Sequence, residues 1–209
     1  MRKISRHFII GTIAISTAVC GCVVTRKADR ERVAVGVTSA NRQRVLAWLA
    51  ELPVLHDDTL QRPEGSPRIR HEQWLAEGRT IPHIEPVLRE LLQEHDAKMD
   101  LPKIAYALGW LGNRDSIPPL INALADSDVA LRIEAAAALG RLRDSAAVPA
   151  LCRAAVNDSD ANVRANACAA LGNIGDRRAL PTLETASRDK HPFVAELATE
   201  ARRKITPSR

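Results

Sequence analysis

Leu-Gly recurs in this chain at Leu108-Gly109, Leu139-Gly140 and Leu171-Gly172, and a proline follows each leucine ten residues on, at Pro118, Pro149 and Pro181. The intervals are 31 and 32 residues, and a fixed period of that length marks stacked repeats of one small unit. Each unit reads as two short helices. Its proline fits the first turn of the first helix, where the missing N–H had no intrahelical partner. Asp-Ser-Asp at 126–128 and 158–160 supplies a turn and an N-cap for the second helix. The glycine after each leucine is expected to end that second helix as a C-cap. Leu131, Ala135, Ala138 and Leu139 fall on one helical face. A helix pair this short cannot cover its own apolar stripe, so stability must be shared along the array.

The units also share an aspartate and an arginine six residues apart, Asp126 to Arg132 and Asp158 to Arg164, followed by the alanine pair and Leu-Gly. This pattern resembles HEAT repeats, and within them the phycobilisome-lyase HEAT-like type. The resemblance implies an all-α, right-handed α-solenoid of about four helical hairpins over residues 81–206, preceded by an N-terminal helical cap over 40–80. It also implies a structural ladder of hydrogen-bonded charges, formed by Asp126, Arg132, Asp158, Arg164 and Asp189. The first unit lacks the Asp–Arg pair. The last has Ala195 in the arginine position and Arg202 in the leucine position, as suits a unit whose outer face meets water.

The amino terminus carries Arg2, Lys3 and Arg6, then an uncharged apolar run from Phe8 to Val19, then Val-Cys-Gly-Cys at 19–22. That order describes a signal peptide over residues 1–21. The small Gly21 before Cys22 resembles a bacterial lipobox, which implies lipidation of Cys22, with residues 22–39 as a flexible tether. An uncleaved signal anchor and an ordinary signal peptide are the alternatives. All three place the repeats outside the cytoplasm, and Val23 favours the outer membrane in a diderm cell. Residues 1–21 hold three basic residues and no acidic ones, so their removal lowers the net charge from +5 to about +2. A balance so close to neutral argues against nucleic-acid binding.

Between tether and array, a helix over about 41–52 carries Val45, Trp48, Leu49 and Leu52 on one side, and a shorter one over about 71–77 carries Trp74 and Leu75. Both tryptophans read as core of the cap. Cys152 and Cys168 occupy ordinary small or apolar repeat positions and read as free thiols, although a disulfide between them is conceivable in an oxidising compartment. No phosphate loop, Cys-x-x-Cys pair or nucleophile elbow is present. The deoxyhypusine hydroxylases, which are HEAT-like, hold a di-iron centre on several His-Glu pairs. Here His71-Glu72 is the only such pair and reads as an exposed helix start.

The candidate binding residues come from the second helices. Tyr106 and Trp110 are four apart and share a face. The repeat register places Arg141 and then Asn173 beside them. Aromatic and arginine side chains in one patch suit a protein interface. These observations give the expectation of a non-enzymatic, lipid-anchored scaffold that binds another protein at the bacterial cell envelope, with no cofactor and no metal. The alternative is an enzyme, or an accessory subunit of one, of lyase or metal-dependent type built on the same repeats.

Overall fold

Local chemistry fixes where the helices begin. The computed structural model describes residues 38–52, 67–96 and 98–206; the signal segment, Cys22 and most of the tether lie outside the described residues. Ten α-helices and no strand occur among them. Helix α1 spans Ser39–Ala50, α2 Pro67–Thr80, α3 Ile84–Glu94, α4 Leu101–Leu111 and α5 Ile117–Ala123. Helix α6 spans Val129–Leu142, α7 Val148–Asn157, α8 Ala161–Ile174, α9 Leu180–Ala186 and α10 Pro192–Ile205. Pro118, Pro149 and Pro181 open α5, α7 and α9. The Asp128 and Asp160 carboxylates accept from the first amides of α6 and α8. Helix α1 begins earlier than its pattern suggests, because Thr38 takes the cap and its hydroxyl accepts from the Asn41 amide.

The helices form two layers. The even-numbered helices stack in order, α2 on α4, α4 on α6, α6 on α8 and α8 on α10; on the other side α1 touches α3, α3 touches α5, and α7 touches α9. Leu88, Ile104, Leu108, Leu120, Leu131, Leu139, Leu151, Leu171 and Leu183 are fully buried between the layers. Each contributes roughly 1.5–3 kcal/mol of burial. The result is an α-solenoid, as the sequence pattern requires.

The glycines play a different part from the one expected. Gly109, Gly140 and Gly172 lie inside α4, α6 and α8, two residues before the helix ends. They are points of contact. A Cβ at Gly109 would lie 2.8 Å from the Ala138 Cα, one at Gly140 2.8 Å from the Ala170 Cα, and one at Gly172 2.8 Å from the Ala201 Cα. Successive second helices therefore touch backbone to backbone. Gly78 holds the same register in α2, where a Cβ would meet the Trp48 ring. On α10 the corresponding residue is Arg203, which is exposed.

The C-caps fall at Gly112, Arg143 and Gly175. Gly175 has φ +78°, where glycine is at ease, while Arg143 is held at φ 54°. Arg143→Gly should therefore stabilise the chain by about 0.5–1 kcal/mol, read as a raised urea midpoint with an unchanged slope. A lowered midpoint would show that the Arg143 side chain contributes more than its backbone costs.

Candidate functional site

The ladder residues join neighbouring units. Arg132 donates from Nε and Nη2 to both carboxylate oxygens of Asp158, at 2.8 and 2.9 Å, while its Nη1 donates to the Asp126 and Ser127 carbonyls. Arg164 repeats the pattern one unit on, with Asp189 at 2.7 and 3.0 Å and the Asp158 and Ser159 carbonyls. The arginines thus pair with the aspartate of the next unit and only with the backbone of their own. Burial works against ionised Asp158, but the Arg132 guanidinium and the Asp160 amide outweigh it and hold the carboxyl below its usual range. Arg164 does the same for Asp189. At the first junction no arginine reaches across; His95, at the end of α3, hydrogen-bonds the Asp126 carboxylate instead, which raises the imidazole pKa.

The second cluster forms where α2 meets α4 and α6. Trp48 and Trp74 stack at 3.8 Å between centroids, and each indole N–H donates to the other's carbonyl, at 2.8 and 2.9 Å. This reciprocal pair satisfies both buried indoles and ties α1 to α2. It fixes the face of α2 that His71 shares. His71 is half-buried, and its Nε2 lies 2.6 Å from the Tyr106 hydroxyl. Its ring meets Tyr106 and Trp110 edge-on, with centroids at 5.7 and 5.2 Å. From α6, the Arg141 guanidinium lies 4.9 Å from the Tyr106 centroid and 5.0 Å from that of Trp110. Trp110 stays 43% exposed.

Tyr106, Trp110 and Arg141 therefore meet in one place. Asn173 lies one helix further along, on α8, with its amide over Gly140. His71 is the residue that sequence reasoning set aside. Its tie to Tyr106 crosses 35 residues and depends on how α2 docks, so no local pattern announces it.

The electrostatics of the cluster are consistent with proton transfer. Burial, and then the Arg141 charge, depress the His71 pKa, so the imidazole is neutral. Burial raises the Tyr106 pKa despite the nearby arginine, so the phenol keeps its proton. Burial also lowers the Arg141 pKa, with Glu134 acting in the opposite sense. A phenol facing a neutral imidazole is a donor paired with an acceptor. A metal centre fits less well. No three His, Cys, Asp or Glu side chains converge among the described residues, and His71 Nε2 is engaged by Tyr106. Cys152 and Cys168 are free thiols, and burial pushes the Cys168 thiol up to about 12, which makes it inert.

A HEAT-repeat profile matches residues 117–203, and a PBS lyase HEAT-like repeat profile matches 103–126, the stretch that contains Tyr106 and Trp110. No curated protein sequence matches the chain. Among solved structures, human deoxyhypusine hydroxylase in complex with glycerol is 28% identical with a TM-score of 0.51, over 56% of this chain and 42% of that one. The complex of CpcE and CpcF of phycocyanin lyase from Nostoc sp. PCC7120 is 25% identical with a TM-score of 0.56, over 78% of this chain and 65% of that one. The chain thus spans less than two thirds of either neighbour. These likenesses overturn the expectation of a non-enzymatic scaffold, because the solved folds that the array resembles are a hydroxylase and a lyase. A stack of helices can line up side chains from successive units into a site, and the equation of solenoid with passive surface fails there. From α4 to α10 the chain carries HEAT-like repeats, the PBS lyase type among them.

Proposed function

We propose that the chain is a subunit of a lyase-type enzyme, with its chemistry at the Tyr106–His71 pair. Lyases make or break a bond by addition or elimination, which requires a proton delivered or removed beside that bond. The observation that carries the proposal is the 2.6 Å hydrogen bond between Tyr106 and His71 beneath the half-exposed Trp110, on the helix matched by the PBS lyase repeat profile. Tyr106 serves as the proton donor, the neutral His71 holds its hydroxyl in place through Nε2, and the phenolate left behind takes its proton back from water. Arg141 offsets negative charge that develops nearby, and Trp110 walls the site. The phycocyanin lyase neighbour is a complex of two chains, CpcE and CpcF, which supports a second protein subunit as partner here.

The test is to purify the full chain from its own cells and assay the isolated assembly for addition–elimination activity. Tyr106→Phe removes the proton and keeps the ring, so it should lower turnover by about 100-fold with assembly intact. Full activity in Tyr106→Phe, or isolation of the chain without a partner subunit, would overturn the proposal.

Attachment to the cell envelope through Cys22 is supported by the amino-terminal sequence alone. No described helix is long and apolar enough to cross a membrane. Fatty-acid labelling should be present in the wild type and absent in Cys22→Ser; labelling that persists in the variant would rule out this anchor.

A further inference from the structure

The residues that follow the contact glycines of α4, α6 and α8, together with Lys204 at the same register on α10, form a row across the second-helix layer. Trp110, Arg141, Asn173 and Lys204 stand 31, 32 and 31 residues apart, one each on α4, α6, α8 and α10. Each of the last three lies over the glycine of the helix before it. A Cβ on Gly109 would be 3.0 Å from Arg141 Nη1, one on Gly140 3.7 Å from Asn173 Nδ2, and one on Gly172 3.6 Å from Lys204 Cδ. The missing glycine side chains therefore make the troughs in which these side chains rest. Trp110, Asn173 and Lys204 are exposed. The residues four positions earlier on α6 and α8 are Ala137 and Ala169, which leave the floor beside the row low.

The chemistry of the row is one-sided. Arginine and lysine only donate hydrogen bonds, and the asparagine amide can donate too. The buried arginines of the array, Arg132 and Arg164, each hold a carboxylate through Nε and Nη2. Arg141 rests on two rings instead. Among the described residues it has no carboxylate within ion-pair distance, and its buried Nη1 has no hydrogen-bond partner. Among the described residues Lys204 has one exposed bond, to Glu200 on its own helix, which an incoming carboxylate can replace.

We infer that the Trp110–Arg141–Asn173–Lys204 row seats an extended, acidic polypeptide segment. The spacing suits one. Packed helices lie about 8–10 Å apart, and an extended chain rises about 3.3 Å per residue. Each helix therefore meets every third residue, and the row spans roughly nine or ten residues of a strand crossing the helices. A flat or apolar side chain lies on Trp110. A carboxylate reaches Arg141, the Asn173 amide donates to a backbone carbonyl, and a second carboxylate reaches Lys204. This inference goes beyond the lyase reading and does not rest on it.

The experiment is selection of a random twelve-residue peptide library on the immobilised full chain. The expected result is enrichment of sequences carrying Asp or Glu and depleted of Lys and Arg. Lys204→Glu lies on an exposed position that folding does not need, and it should weaken the enriched peptides about tenfold, as should Arg141→Gln. Tyr106→Phe should leave peptide binding unchanged, which separates this surface from the proposed proton transfer. Failure to enrich any sequence, enrichment of basic peptides, or wild-type affinity in Lys204→Glu would overturn the inference. Release of bound peptide by millimolar sodium acetate would also overturn it, by showing a site for small anions.

Discussion

Asp158→Ala should lower stability by about 3–5 kcal/mol, the cost of removing one partner of a buried ion pair. Arg132 is only 8% exposed and gives two of its nitrogens to this carboxylate. It cannot swing out to water, because its third nitrogen holds the Asp126 and Ser127 carbonyls in the turn before α6. The substitution therefore leaves a guanidinium buried without its counter-charge, and it also releases the Asp160 amide. The control is Arg188→Ala, which breaks an exposed i,i+4 pair with Glu184 and should change stability by less than about 0.5 kcal/mol. Urea midpoints of the two variants measure the difference. Equal shifts would mean that the ladder orders the turns without stabilising them.

The same ladder predicts the response to acid. Asp158 and Asp189 have folded-state pKa values below their ordinary range. Their contribution is complete above the unfolded value near about pH 4 and is lost as pH falls through the folded values. Wild-type protein should thus lose stability steeply below about pH 4, and Asp158→Ala should show a shallower decline there.

Sequence and structure part company where contacts are distant. Pro118, Pro149, Pro181, Asp128 and Asp160 act on their own helix starts, so their positions suffice to place α5 to α9. The burial of Trp48 and Trp74 is also legible, since both lie on apolar helix faces. Leu-Gly is ambiguous by nature, because glycine near a helix end serves a cap or a close neighbour equally well. Only the position of Ala138, Ala170 and Ala201 across the interface decides, and that information lies about 30 residues away. Arg143 is the converse case, a cap in the left-handed region with no residue type to signal it. For the site, helical spacing brings out Tyr106, Trp110 and Arg141 because the repeat register links them. His71 belongs to a helix whose docking is set by the Trp48–Trp74 pair, and no period reaches it.

Gly140→Ala tests the glycine contact most sharply, because two opposing effects of known size meet there. In an exposed helix interior, replacing glycine by alanine gains about 1 kcal/mol of helix propensity. Gly140 sits within α6, so propensity alone predicts a more stable protein. The added methyl would, however, lie 2.8 Å from the Ala170 Cα and 2.9 Å from its Cβ. Both are closer than carbon atoms approach, and neither belongs to a side chain that can turn away. Helices α6 and α8 must separate, and the leucines buried beside the contact, Leu139 and Leu171, lose packing with them. Overpacking of this kind costs typically 1–3 kcal/mol and sometimes more. Because the obstruction is backbone, the upper end of that range applies, leaving a net loss of about 2 kcal/mol after the propensity gain. Chemical denaturation measures it directly, and Gly140→Ala paired with Ala170→Gly separates the two terms. The double variant moves the methyl from one helix to the other and should recover part of the loss. A single variant more stable than wild type would mean that the units do not touch through their glycines, and the close stacking of the second-helix layer would have to be abandoned.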